Sequence, residues 1–127
     1  MKKIIALLAV VAAASVVYAS EPAKPELRPA QKAMQARAGW MKAMGENLAA
    51  KKFEDIAKDG EALAGQTRKI GESHPNPLAK ELTLKVSGLA KATAEAAGKQ
   101  DEVGVKTRLG EIKATCAECH VRIRDKK

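Results

Sequence analysis

Residues 101–123, DEVGVKTRLGEIKATCAECHVRI, carry the clearest helical pattern in the chain. Asp101 is of a residue type that commonly caps the start of a helix. Beyond it, apolar side chains recur at steps of four and three, the spacing that lines one face of an α-helix. These side chains are Val105, Leu109, Ile112, Cys116, Cys119 and Ile123. We therefore predict a helix that begins near Asp101 and carries both cysteines on its buried face.

Three further segments, at 27–50, 52–72 and 77–97, also space their apolar side chains as helices do. In the first segment an apolar stripe recurs every seven residues, at Leu27, Met34, Met41 and Leu48. Gly98 is predicted to stop the third helix. No stretch alternates apolar and polar side chains as a strand would. Four helices with short connections predict an all-α fold, an antiparallel up-down-up-down four-helix bundle.

The start of the chain has the pattern of an export signal. Two lysines follow Met1, and an apolar run then continues up to Val17-Tyr18-Ala19, a small-x-small cleavage pattern. The run is shorter than the ~20 residues that a membrane-spanning helix needs, so we expect no stable membrane span. We predict that residues 1–19 are a cleaved secretory signal peptide and that residues 20–127 form one soluble periplasmic domain.

The motif with the most specific chemistry is Cys116-Ala117-Glu118-Cys119-His120, a C-x-x-C-H sequence. Two thiols three residues apart lie on one face of a helix, where each can bond one vinyl group of a single haem. The histidine directly after the second cysteine can then reach the haem iron. This spacing is typical of c-type haem attachment. We therefore predict one covalently attached haem c, held by Cys116 and Cys119, with His120 as an iron ligand.

Three other roles of the cysteine pair are alternatives. A dithiol redox site usually begins a helix that follows a strand, and no strand pattern is present. A zinc site needs two further Cys or His ligands, and only His74 remains outside the motif. A disulfide between Cys116 and Cys119 would be strained within a helical turn. Haem attachment is the role that the residues favour.

With this motif near the C-terminus, the chain resembles the class II cytochromes c, the family of cytochrome c′ and its low-spin, methionine-ligated relatives. Ile123-Arg124 with Lys126 follows His120 as the family's aromatic-Arg-x-Lys tail does, with Ile123 in place of the aromatic residue. In the first helix, Gln31-Lys32-Ala33-Met34 is similar to the Gln-x-x-Met segment of the methionine-ligated members.

The resemblance implies a ligand set. Met34 would be the sixth ligand of the iron, opposite His120. Gln31 would lie near a haem propionate, and Arg124 would pair with a propionate or flank the haem edge. In cytochrome c′ proper an apolar residue occupies the sixth position and leaves the iron open to small gases.

Helical geometry agrees with Met34 as the sixth ligand. In an antiparallel bundle the start of the first helix lies level with the end of the last. At 1.5 Å per residue, Met34 lies about 10 Å and His120 about 9 Å from that end of the bundle. Met41 and Met44 lie further along, at roughly 21 and 25 Å, and fit better as core residues.

Two other side chains bear on the site. His74 is a rival sixth ligand, because its loop is expected at the same end of the bundle, although a loop histidine is usually exposed. Arg37 lies on the otherwise apolar stripe of the first helix, and a buried anionic group would explain a cation there.

The predicted ligands of the haem iron indicate which function the haem would have. A His/Met-ligated haem is typical of electron transfer, whereas an open sixth position predicts binding of NO or CO. A third hypothesis is a haem-free helical adaptor in which C-x-x-C-H occurs by chance. No nucleophile–base pair, phosphate-binding loop or carboxylate dyad is visible, so we expect no enzymatic activity.

Charge indicates the kind of partner. The chain has 23 basic and 15 acidic residues, a formal net charge of +8, which becomes +6 once Lys2 and Lys3 are removed. A basic surface favours acidic redox partner proteins. Export and the scarcity of aromatic side chains argue against nucleic acid as a partner. A monomer and a homodimer both remain open.

Overall fold

The computed structural model describes residues 26–124, so the predicted signal peptide lies outside the described residues. Over this range the chain is all-helical and has no β-strand. Its four α-helices are α1 (Pro29–Ala49), α2 (Phe53–Glu72), α3 (Pro77–Gly98) and α4 (Glu102–Cys119), and a π-helical turn at His120–Arg124 continues α4. The four predicted helical segments are confirmed, with small differences at their ends. None of these helices combines the length and hydropathy needed to cross a lipid bilayer.

Side-chain caps explain where α3 and α4 begin. The Oδ1 atom of Asn76 accepts hydrogen bonds from two backbone N–H groups in the first turn of α3, at 3.0 and 3.1 Å. Pro77 occupies the first helical position, where its missing N–H costs nothing. Asp101, the predicted cap of α4, accepts a 2.9 Å bond from the N–H of Gly104. Both caps satisfy donors that a helix start leaves without intrahelical partners.

The connection between α3 and α4 turns at Gln100. α3 ends at Gly98 as predicted, but the residue in the left-handed region is Gln100, with φ 55°. The N–H groups of Gln100 and Asp101 each donate a 2.9 Å bond to a carbonyl near the end of α3, which closes the helix end. A non-glycine residue pays a conformational cost in this region, so the turn holds strain that glycine would relieve.

The hydrophobic core lies mainly between α2, α3 and α4. Its fully or almost fully buried apolar residues include Ile56, Leu63, Val86, Ala90, Val105 and Ile112. α1 adds Met44, which has no exposed surface. Buried Thr67 and Thr93 donate their hydroxyls to carbonyls one turn earlier, at 2.7 and 2.8 Å. These polar groups therefore have partners inside an otherwise apolar core.

α2 and α3 approach closely at Gly60. A Cβ atom at this position would lie 3.1 Å from both the carbonyl oxygen of Ala90 and the Cβ of Ala94. Nearby, the hydroxyl of Ser87 donates a 2.8 Å bond to the carbonyl of Ala64. A larger residue at position 60 would push the two helices apart. The requirement for glycine here is therefore one of packing.

The residues at the start of α1 and just before it are only partly shielded from solvent. Leu27 and Met34, which share a stripe with Met41 and Leu48, are 37% and 43% exposed. Met41 and Leu48 are half-buried and pack against the core. Regular spacing places these side chains on one face of α1, but burial also requires a neighbouring helix against that face. The first half of the stripe is therefore partly exposed, whereas its second half packs against the core.

Candidate functional site

Two cavities with shared walls lie among α1, α3 and the end of α4. The smaller has a volume of about 360 Å³ and the larger about 850 Å³, within the ~300–1,000 Å³ typical of ligand sites. The residues that line both are Met34, Arg37, Thr83, Cys119 and His120. Cys116 lines the smaller cavity, whereas Gln31, His74 and Arg124 line the larger. The tertiary structure thus brings every predicted site residue to one region.

The two cysteines lie near the end of α4 and reach the smaller cavity together. Cys116 and Cys119 are half-buried free thiols, not joined in a disulfide. Burial raises the pKa of both thiols, and the guanidinium of Arg37 partly offsets that effect. Two unbonded sulfur atoms therefore face one cavity wall, as attachment to a single cofactor requires.

His120 begins the π-helical turn that follows α4. Such turns are rare and occur frequently at functional sites. The imidazole is half-buried and lines both cavities beside Cys119. It therefore lies where a ligand to the iron of a cysteine-tethered haem is expected.

The methionines of α1 differ in their access to the cavities. Met34 lines both, and its Sδ accepts a hydrogen bond from Nη1 of Arg37 at 3.8 Å. Met41 lines the smaller cavity and also packs against the core. Met44 is completely buried, so its predicted role as a core residue is confirmed. Met34 is the methionine best placed to serve a group in either cavity.

His74, the rival sixth ligand, lines the larger cavity but uses one ring nitrogen locally. Its Nδ1 accepts a 3.1 Å hydrogen bond from the backbone N–H of Asn76. A neutral imidazole has one nitrogen that carries hydrogen and one that accepts, so this bond leaves the hydrogen on Nε2. A ring nitrogen that carries hydrogen has no lone pair to give a metal. The geometry therefore disfavours His74 as an iron ligand.

Gln31 and Arg124, which the family resemblance associates with the propionates, both line the larger cavity. The Oε1 atom of Gln31 accepts a 3.0 Å bond from the N–H of Arg28 and so caps the start of α1. Arg28 lines the same cavity. Since the amide oxygen of Gln31 serves the helix start, its NH₂ group is the part suited to bind a carboxylate. The roles of both residues stay predictions.

Arg37 is held in place by Gln66 of α2, a residue that the sequence did not single out. Nε of Arg37 donates a 2.8 Å bond to Oε1 of Gln66, and Nε2 of Gln66 donates a 3.2 Å bond to the carbonyl of Ala33. Burial lowers the pKa of Arg37, and the neighbouring cysteines act in the opposite direction. No local signal distinguishes Gln66, because the partners that define its role belong to another helix.

The cavity walls fit an apolar ring that carries carboxylates. Many lining side chains are apolar, including Leu82 and Val86 in the smaller cavity. Among the described residues that line the two cavities there is no Asp or Glu, although the chain has 15 acidic residues. The Lys and Arg residues there are Arg28, Arg37, Lys113 and Arg124. A haem, which combines an apolar macrocycle with two propionates, matches these walls.

Comparisons of the chain with protein families, with curated proteins and with solved structures find no match in any of the three. The resemblance to the class II cytochromes c therefore rests only on the C-x-x-C-H motif, on Ile123-Arg124 with Lys126 and on the Gln31-Lys32-Ala33-Met34 segment.

Proposed function

We propose that this protein is an exported c-type cytochrome that carries one covalently attached haem and transfers single electrons. The observation that carries the proposal is the convergence of Cys116, Cys119, His120 and Met34 on two cavities with shared walls. Met34 lies in the first helix and the other three residues lie at the end of the last. Two thiols, an imidazole and a thioether are the groups that a His/Met-ligated haem c requires.

We further propose that the helices form an antiparallel up-down-up-down bundle, as short connections favour. Contacts between α2 and α3 support this topology, because later residues of α2 meet earlier residues of α3. The pairs are Gly60 with Ala94, Ala64 with Ser87, and Gly71 with Leu84. In such a bundle the first turns of α1 lie level with the last turns of α4, so the haem lies near the C-terminal end of α4.

The bound haem supplies the one-electron chemistry, which belongs to the cofactor. Cys116 and Cys119 would hold it through thioether bonds, and His120 and Met34 would be the side chains that bind its iron. A thioether as the sixth ligand raises the reduction potential and closes the site to other ligands. These roles describe an electron carrier and not an enzyme.

The remaining walls orient the cofactor. Apolar side chains such as Leu82 and Val86 exclude water from the ring. Arg28, Gln31 and Arg124 offer donors to the propionates at the larger cavity, where charge-assisted hydrogen bonds to carboxylates are strongest. This division places the hydrophobic part of the cofactor inward and its charged edge outward.

The first 19 residues and the net charge of the chain indicate its location and the kind of partner it binds. We propose that residues 1–19 direct export to the periplasm, where c-type haem attachment takes place in bacteria. The formal charge of +6 after their removal favours redox partner proteins with acidic surfaces. Nucleic acid is not expected as a partner.

Gas binding is the second candidate function, and the exposure and hydrogen bonding of Met34 support it. This side chain is 43% exposed, and its sulfur accepts a hydrogen bond from Arg37. A Met34 side chain that kept this exposed position and turned its sulfur away from the cofactor would leave the sixth position of the iron open. The protein would then bind NO or CO as a five-coordinate haem protein.

Absorption spectra of the mature protein decide between these functions. The protein is produced in cells that attach c-type haem, and spectra are recorded oxidised, reduced and then with carbon monoxide. A sharp low-spin reduced spectrum that ignores carbon monoxide supports electron transfer. A broad high-spin spectrum that shifts with carbon monoxide supports gas binding.

A matched variant tests the covalent attachment. Replacement of both cysteines by serine (C116S with C119S) preserves side-chain size but removes the thiols. We expect wild-type protein to retain haem on a denaturing gel and the double variant to lose it. A wild-type protein that carries no haem under these conditions would rule out the proposal and favour a haem-free helical adaptor.

A further inference from the structure

Arg37 is the one Lys or Arg among the five residues that line both cavities. Its Nη1 donates a hydrogen bond to Sδ of Met34 at 3.8 Å, and its side chain lines the smaller cavity together with Cys116 and Cys119. The guanidinium therefore shares a cavity with the sulfur-bearing residues that the proposed function assigns to the haem.

Two hydrogen bonds fix the position of this charge. Nε of Arg37 binds Oε1 of Gln66 at 2.8 Å, and Gln66 is itself held by the carbonyl of Ala33 at 3.2 Å. The arginine is half-buried, unlike most cations of the chain, which extend into water. A fixed and partly desolvated charge acts more strongly on its neighbours than an exposed one, which water and salt screen.

We propose that Arg37, held by Gln66, is a positioning residue that raises the reduction potential of the haem; this inference rests on the proposed function. On reduction the haem takes one electron from the partner protein, and on oxidation it returns one, while no covalent bond of the chain changes. A fixed positive charge opposes the additional positive charge of the oxidised state and so favours the reduced state. The hydrogen bond to Sδ of Met34 acts in the same direction, because it withdraws electron density from the sulfur.

The test compares reduction potentials of haem-loaded variants by spectroelectrochemical titration. R37Q removes the charge and keeps a polar side chain. We expect it to shift the redox equilibrium constant about tenfold toward the oxidised state, or about 59 mV for one electron. R37K keeps the charge and is expected to stay within about threefold of the wild type. R68Q is the control, since Arg68 pairs with Glu72 at 3.0 Å on an exposed face and its loss should leave the potential unchanged.

A second variant changes the charge without altering the arginine. Q66E places a carboxylate against the guanidinium of Arg37, which cancels much of its field. We expect the potential to fall, as in R37Q. Q100E introduces the same charge at the connection between α3 and α4 and should have no effect.

The outcomes separate this inference from the proposed function. If R37Q and Q66E both keep the low-spin spectrum and the wild-type potential, the inference is overturned and the proposed function stands. A fall in R37K as large as that in R37Q would also overturn it, because packing and not charge would then be the cause. If R37Q fails to load haem, R37K and Q66E decide the question. A wild-type chain that attaches no haem overturns the proposed function itself.

Discussion

Nδ1 of His74 accepts a 3.1 Å hydrogen bond from the backbone N–H of Asn76, two residues later. The bond holds the imidazole in the tautomer with hydrogen on Nε2, so the ring nitrogen that remains has no lone pair for iron. We expect His74→Ala to leave the oxidised and reduced absorption spectra unchanged. Loss of the low-spin spectrum in this variant would identify His74 as a ligand.

His120→Ala serves as the matched control for His74→Ala. It removes the imidazole that lines both cavities beside Cys119. We expect this variant to lose the low-spin spectrum even where the thioether bonds still form. The contrast between two histidine substitutions separates ligation from any general effect of losing an imidazole.

Met34→Ala tests the sixth ligand. We expect the variant to lose the sulfur-to-iron charge-transfer band, to become high-spin and to bind carbon monoxide, because alanine offers no lone pair to the iron. Met41→Leu conserves the side-chain volume at the other methionine of the smaller cavity, and its spectrum should match that of the wild type. An unchanged spectrum in Met34→Ala would refute the assignment.

Two glycines of α2 should respond to alanine with opposite signs. A Cβ at Gly60 would lie 3.1 Å from Ala90 and Ala94, whereas a Cβ at Gly65 meets nothing within 4 Å. We expect Gly60→Ala to lower the free energy of unfolding by ~1–3 kcal/mol through overpacking. Gly65→Ala should raise it by ~0.5–1 kcal/mol, because alanine favours the helix. Urea unfolding measures both, and equal effects would contradict the close approach of α2 and α3.

The turn after α3 offers a stabilising change. Gln100 has φ 55°, in the region that favours glycine. We expect Gln100→Gly to raise the free energy of unfolding by ~1 kcal/mol, since glycine relieves the left-handed strain. Lys99→Gly is the control at φ −93°, where glycine brings only extra unfolded-state entropy and should not stabilise. A loss of stability in Gln100→Gly would indicate that the turn adopts another conformation.

Some features of the site follow from residues close together in the chain. The C-x-x-C-H spacing places both thiols and His120 at the end of one helix, because three residues make nearly one helical turn. The change to a π-helical turn at His120 is not visible in the sequence, since no residue there marks a wider turn.

Apolar spacing along α1 does not by itself explain why Met34 and His120 line the same cavities. Heptad spacing places an apolar stripe on one face of α1, and the first half of that stripe is partly exposed and borders the cavities. Which part of an apolar face is buried depends on the neighbouring helices, and that information is spread over the whole chain. For the same reason the role of Gln66 emerged only from its contacts with Arg37 and Ala33.

The four helices, the cap at Asp101 and the cysteine spacing could be predicted from the sequence, because hydrogen bonding and periodicity within a few residues govern them. The crowding at Gly60 but not at Gly65, the hydrogen bond of Arg37 to Gln66 and the cavities that Met34 shares with His120 depend on how the helices pack. These relationships join helices distant in sequence, and they arise from side-chain shapes and charges that fit together only once the helices pack.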